Sequence, residues 1–221
     1  MDKRGASLPV KGFFMLHANQ LTCVYEERVL FESLSFTVES GEVVQIAGAN
    51  GSGKTSLLRL LAGLTQPDNG DVFWGGERLS RARDTFHQQL LWIGHKPGVK
   101  TALTAEENLR LFYPRSTLEE RETALAAIGL AGFEDLPLFQ LSAGQQRRSA
   151  LARLWLSDAA LWILDEPLAA LDVSAIEILT RRLETHVHRG GSVVLTTHQP
   201  LRSLNCPLRV LTLSGGEAYV S

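Results

Sequence analysis

Hydrophobic and polar positions divide this chain into short apolar runs bounded by turn residues and longer stretches where leucine and alanine are spread among charges. Leu16 to Tyr25 and Leu34 to Val38 read as strands. Leu34, Phe36 and Val38 alternate with polar neighbours, so one face of the second is buried. Glu42 to Ala47 is apolar and β-branched, as a buried strand should be, and Ser56 to Ala62 is built from good helix formers. Pro67-Asp68-Asn69-Gly70 marks a turn before a short strand, Val72 to Trp74, and Leu90 to Ile93 is another strand. From Thr104 to about Ser157 the texture turns helical, with breaks at Tyr113-Pro114 and Ala131-Gly132-Phe133. Leu161 to Leu164 returns to a buried strand, Val173 to His188 is helical, and Ser192 to Thr196 is a further buried strand. Arg209 to Val220 reads as a hairpin around Ser214-Gly215-Gly216. These elements predict a mixed α/β core with a helical insertion near residues 97–157.

Composition narrows the class. The chain has 221 residues, a net charge of −2, 21% charged and 44% hydrophobic residues, which suits one large core or a core with a second lobe. The near-neutral charge offers no broad field for nucleic acid, so none is expected as a partner. No apolar run is long enough to span a bilayer. Cys23 and Cys206 make no disulfide framework. The pairs Arg147-Arg148 and Arg181-Arg182 lie in helical patterns and read as solvated helix faces. Residues 1–14, broken by Pro9 and Lys11, read as a flexible extension and a poor signal peptide, with Met15 where the first strand begins.

Chemistry concentrates in three places. Gly48-Ala49-Asn50-Gly51-Ser52-Gly53-Lys54-Thr55 reads G-x-x-x-x-G-K-T between a strand and a helix, the context of a phosphate-binding loop. Backbone N–H groups there curl around an anion, and the helix N-terminus at Ser56 adds its partial positive charge. Lys54 can reach the β- and γ-phosphates, and Thr55 can place its hydroxyl on Mg²⁺. Leu161-Trp162-Ile163-Leu164-Asp165-Glu166 delivers two carboxylates at the end of a buried strand. There Asp165 would hold Mg²⁺ and Glu166 would polarise an attacking water. Leu141-Ser142-Ala143-Gly144-Gln145 precedes a helix expected over Gln146 to Trp155, and so makes a second anion cradle. A plain N-cap explains Ser142 but leaves Gly144 and Gln145 unexplained.

The LSAGQ segment resembles the signature sequence of ATP-binding cassette (ABC) proteins, and the likeness extends from about Leu16 to Leu213. It implies an ABC-type phosphate-loop core with an antiparallel β subdomain and a helical subdomain, over residues 15–221, and ATP with Mg²⁺ as ligands. It also implies roles for further residues. Tyr25 stacks on adenine, Asp172 in Ala169-Ala170-Leu171-Asp172 belongs to a loop across a dimer interface, and His198 is a switch near the γ-phosphate. In the family the signature of one subunit closes on the ATP of the other. Ser142, Gly144 and Gln145 would therefore act in a second copy of the chain.

One position departs from the family. A glutamine usually follows the strand Leu90 to Ile93, where this chain has Gly94-His95-Lys96-Pro97-Gly98. His95 falls at the expected position, and a neutral imidazole can hydrogen-bond a water, whereas Lys96 cannot accept. This segment, with Leu103-Thr104-Ala105-Glu106-Glu107-Asn108-Leu109, Leu141 to Leu156 and Thr196 to Leu201, resembles the ATP-binding subunits of bacterial cytochrome c maturation systems. Those relatives usually carry glutamine where this chain has Lys96. The resemblance implies an ATPase working with multi-spanning membrane subunits, peripheral on the cytoplasmic face of the bacterial inner membrane. Its output would be heme export or release of a heme-loaded periplasmic chaperone. The alternatives are the ATPase of another ABC transporter and a soluble mechanochemical ABC machine; no heptad run between Lys54 and Ser142 supports the latter. Cys206-Pro207, the dipeptide of heme-regulatory motifs, reads as the approach to a terminal strand, and His186 and His188 are two apart, so not on one helical face.

Overall fold

The computed structural model describes residues 14–199, 201, 204–214 and 217–220. The extension expected over residues 1–14 lies outside them, apart from Phe14, which opens the first strand. β1 (Phe14–Tyr25) and β2 (Arg28–Glu39) pair antiparallel, from Leu16 opposite Val38 to Tyr25 opposite Arg28. Leu34, Phe36 and Val38 are buried as their alternation predicts. The strand nonetheless starts six residues before Leu34. Ser33, in the left-handed region at φ 51°, interrupts the alternation and hides that first half.

β3 (Val43–Gly48) runs into α1 (Lys54–Leu61), followed by β4 (Asn69–Trp74), β5 (Glu77–Arg78) and α2 (Arg83–Gln88). Among the residues of α2 only Phe86 is buried, so no apolar stripe announced it. β6 (Leu90–Ile93) precedes α3 (Ala105–Phe112), α4 (Leu118–Ala127), a 3-10 turn over Leu138–Gln140, α5 (Ala143–Leu151) and α6 (Arg153–Leu156). The single helix expected from Gln146 to Trp155 is thus two, parted at Ala152. β7 (Leu161–Asp165), α7 (Val173–His188), β8 (Ser192–Thr196), β9 (Leu208–Ser214) and β10 (Glu217–Val220) complete the chain. β9 and β10 pair antiparallel, Ser214 opposite Glu217, as the hairpin reading expected.

One sheet is antiparallel, in the order β2-β1-β4-β5. The other, β10-β9-β3-β8-β7-β6, is parallel from β9 to β6. Parallel strands covered on both faces read as continuous apolar runs. In β7, Trp162 and Leu164 enter a core shared with α7 and the helices of residues 105–156. Leu161 and Ile163 enter the opposite core, with α1 and the antiparallel sheet. The first of these cores holds His186, buried with its ring stacked on Trp162 at 3.7 Å and 6°.

The reading of Arg181-Arg182 as a solvated face holds for Arg181 only. Arg182 is half-buried, donates to the Leu154 carbonyl from Nε at 2.9 Å, and lies over the Trp162 ring at 5.2 Å. Its alkyl stem and planar head cover apolar surface that a sequence pattern counts as polar. Among the described residues no helix is long and apolar enough to cross a membrane.

Candidate functional site

Parallel strands bring their carboxyl ends to one edge of the sheet, where α/β proteins hold ligands. Here the loop after β3, Gly94-His95 after β6, Asp165-Glu166 at the end of β7 and Thr196 to His198 after β8 meet at that edge. They border a cleft of ≈ 450 Å³ lined by Tyr25, Asn50, Gly51, Gly53, Lys54, Thr55, Ser56, His95, Asp165, Glu166 and His198, with Leu30. A larger cleft of ≈ 580 Å³, beside Tyr113 and Glu119, contains none of the candidate residues.

The phosphate loop is held open from beneath. Lys54 Nζ donates to the carbonyls of Gly48 (2.8 Å) and Ala49 (3.0 Å), and Ser52 N–H donates to Ala49 O (3.2 Å). A Cβ on Gly48, at φ 143°, would lie 2.6 Å from the Leu213 carbonyl and from Ser52 Oγ, so only glycine fits. α1 begins at Gly53 with no side-chain cap and no acidic residue in its first turn. Its N–H groups and dipole therefore remain available to an anion.

The carboxylates are set apart by their partners. Asp165 is buried, and its two oxygens accept from Thr196 Oγ1 (2.7 Å) and Thr55 Oγ1 (2.9 Å). Two hard oxygen donors side by side fit Mg²⁺, which keeps most of its shell for water and phosphate. No cluster of three acidic, His or Cys side chains able to hold a metal unaided occurs among the described residues. Glu166 is different. Its N–H donates to Thr196 Oγ1 (2.8 Å), its backbone sits at φ 51°, and its buried Oε1 accepts no hydrogen bond. His198 Nε2 lies 3.4 Å from that oxygen. A half-buried carboxylate on the wall of a cleft, with one oxygen that has no hydrogen-bond partner, is equipped to take a proton.

Sequence reasoning missed two residues. Thr196 ties the Asp165 carboxylate to the Glu166 backbone N–H, and Arg147, read as solvated, is buried. The Arg147 guanidinium donates to the carbonyls of Gly94 (2.9 Å), His95 (3.1 Å), Asp165 (2.7 Å) and Glu166 (2.7 Å). Burial lowers its pKa, opposed by the charges of Asp165 and Glu166. The signal lay in spacing. Arg147 falls on the stripe with Ala150 and Leu151, the buried face of α5, which Leu154 continues in α6.

The signature residues and Asp172 do not line the cleft. Ser142 caps α5, its Oγ accepting from Gln145 N–H (3.3 Å), while Gln145 Oε1 accepts from Ser142 N–H (2.9 Å). This capping box accounts for Gln145 as well as Ser142, which corrects the expectation that a cap would leave Gln145 unexplained. Gly144 is explained by a close approach. A Cβ there would lie 2.8 Å from the carbonyl of Ala170, a residue itself at φ 61°. Asp172 pairs with Arg148 and caps α7 by accepting from Ala175 N–H (2.8 Å). That backbone donor, then Arg148, holds its carboxyl below the usual range.

A family model described as ABC transporter matches residues 31–169. The chain is 60% identical over 204 residues to the cytochrome c biogenesis ATP-binding export protein CcmA of Salmonella typhi, covering 92% of this chain and 99% of that protein. It is also 60% identical over 203 residues to the protein of that name from Pectobacterium atrosepticum, covering 92% and 98%. Among solved structures, the ATP-binding subunit of an ABC transporter matches at TM-score 0.82 and 26% identity, over 94% of this chain and 89% of that one. A dimeric ATP-binding cassette in a post-hydrolysis state with ADP and Pi matches in fold at TM-score 0.82 and 23% identity, over 94% and 98%.

Proposed function

Because the chain belongs to the ABC transporter family and, within it, to the cytochrome c biogenesis ATP-binding export proteins, we propose that it is the ATP-hydrolysing subunit of a membrane complex in cytochrome c assembly. Hydrolysis would drive export of heme or release of heme-loaded periplasmic chaperone. The observation that carries the hydrolytic part is the pairing within one cleft of a phosphate loop with a Glu166 oxygen that accepts no hydrogen bond. The biological part rests on 60% identity over nearly the whole chain.

In this reading Gly48 to Ser56 cradle the phosphates and Tyr25 stacks on the adenine. Lys54 leaves the loop carbonyls for the β- and γ-phosphates, exchanging neutral acceptors for charged ones. Thr55 and Asp165 hold Mg²⁺, which supplies charge neutralisation to the phosphates when bound. Glu166 takes a proton from the attacking water as the bond between the γ-phosphorus and the ADP oxygen breaks. His198 and His95 hydrogen-bond the γ-phosphate and the water from the loops after β8 and β6. Lys96, which borders a neighbouring groove with Trp92, Pro97 and Arg153, stays outside this set.

Ser142, Gly144 and Gln145 complete the site of a second copy in a nucleotide-sandwich dimer, with Asp172 at the interface. Their position outside the chain's own cleft supports this. The helical subdomain near residues 97–157 delivers the stroke to multi-spanning partners at the cytoplasmic face of the inner membrane. The test is a cell whose only copy carries Glu166→Gln, with heme staining of the periplasmic chaperone and of c-type cytochromes. Heme is expected to stay on the chaperone while holocytochrome c is lost. Normal cytochrome c levels would overturn the assembly role and leave the ATPase reading standing.

A further inference from the structure

The buried guanidinium of Arg147 occupies a position that no hydrolytic role above assigns. It projects from α5, the helix that carries Ser142 and Gln145 at its start, and reaches the carboxyl ends of two strands of the parallel sheet. Four carbonyls accept from it, two on each strand end. The β6–β7 ladder ends at Ile93 opposite Leu164, and buried backbone acceptors past that pair need other partners. A neutral donor would serve that purpose at lower desolvation cost than a guanidinium. What the guanidinium adds is a rigid planar fork that fixes two backbones relative to each other.

We infer that Arg147 is a positioning residue for hydrolysis, a clamp that holds the Glu166 and His95 backbones in register across the end of the sheet. The inference rests on the ATPase reading. Glu166 stands in a backbone conformation that non-glycine residues seldom adopt, and such conformations persist only where their surroundings over-determine them. Here the determinants are visible. Thr196 holds the N–H of Glu166, and Arg147 holds both its carbonyl and that of Asp165. Between them the peptide groups on either side of Glu166 are fixed, and with them the direction of its carboxylate. The same fork holds the carbonyls of Gly94 and His95, and so sets where the imidazole enters the cleft. The next residue, Arg148, pairs with Asp172. One helix thus links the signature, the loop before α7 and the chain's own Glu166, so a displacement of α5 by a second copy is felt at the carboxylate.

The test uses the full chain purified with its membrane partner, as wild type, Arg147→Lys, Arg147→Gln and Arg147→Met. A clamp predicts that kcat of Arg147→Met falls by about 10- to 100-fold, the effect of an ångström-scale misplacement. ATP affinity, set by the phosphate loop, should change by less than about threefold. Arg147→Lys, with one ammonium for four carbonyls, should recover little, and Arg147→Gln, with two amide donors, somewhat more. Hydrogen exchange should quicken over residues 94–98 and 164–168 and remain unchanged in β3. Unchanged kcat, an equal loss of ATP affinity, or exchange raised uniformly through the sheet would overturn the clamp. So would failure of all three variants to fold, because the role would then be structural alone. If the wild-type complex hydrolyses no ATP, the ATPase reading falls; the localised exchange and the ATP affinities still decide whether Arg147 clamps.

Discussion

Two helices of this chain begin where an anion is expected, and they begin differently. α1 opens at Gly53 with no side-chain cap, so its first N–H groups point at the cleft uncommitted. α5 opens at Ser142 with a complete capping box, its donors partly satisfied within the chain. The first N-terminus is pre-organised for phosphate, whereas the second is stable by itself and keeps its Ser142 hydroxyl proton to donate. The difference fits the proposed function, in which α1 would capture nucleotide in every copy and α5 would engage only when a second copy closes. A cap satisfied in the separate chain keeps the start of that helix folded without a second copy.

The largest expected effect breaks the open end. Lys54→Ala removes charge-assisted contacts worth roughly 1.5–3 kcal/mol each. Two such contacts amount to roughly 100-fold or more in ATP binding or turnover. Equilibrium binding and phosphate release by the purified complex check this, and wild-type activity would remove α1 from the site.

Gly144→Ala tests the self-contained end and should act more mildly. The added methyl would lie 2.8 Å from the Ala170 carbonyl, a strain of about 1–3 kcal/mol if the loop must shift. Turnover should fall by about tenfold while ATP binding to the single chain is kept, because no atom of α1 is touched. Loss of binding as well would mean that the two termini are not independent. Ser142→Ala should be milder still in stability, costing about 1 kcal/mol for the lost cap, or about 2–4 °C in Tm. If its turnover falls far beyond that, the hydroxyl has a role besides capping.

The contrast between these ends was only half legible in the sequence. Glycines, lysine and threonine at fixed spacing, between a β-branched run and a leucine-rich one, identify the open end, because each residue type there answers a need of phosphate binding. The strands behind it were legible for a related reason. β8 matches its expected limits and α7 both of its own, since strands buried on two faces admit little but apolar residues and Asp172 caps the helix. The closed end concealed its logic. Gln145, expected to act toward a second copy, is also half of a cap in the separate chain. Arg147 looked solvated, because charge outweighs the spacing that places it on an apolar stripe, and its four acceptors come from segments far along the chain. Thr196 was hidden in the same way inside an apolar run. Arg147 and Thr196 are polar side chains whose partners are brought near by the sheet topology, a relation that local pattern does not contain.

The smallest expected effect on either terminus belongs to His186, which makes it the control for the comparison. Its ring is buried against Trp162, and burial, with Arg182 nearby, pushes its pKa down to about 4 against backbone at Ala160 and Ser192 that favours the charged form. In the unfolded chain an imidazole titrates near 6.5. Between about pH 6.5 and about pH 4 the unfolded state therefore binds more protons, so stability is intact above that interval and declines as pH falls through it. The loss between pH 7 and pH 5 should be about 2 kcal/mol. His186→Gln removes the titration, so its stability should fall less steeply over that range in urea denaturation. The comparison is one of pH slopes, so any constant cost of losing the Trp162 stack drops out. At pH 7.5 the variant, if folded, should bind ATP and turn it over as wild type does, since His186 borders neither helix N-terminus. Equal slopes would show that this imidazole is charged in the folded core, and that burial there is weaker than its stacked geometry implies.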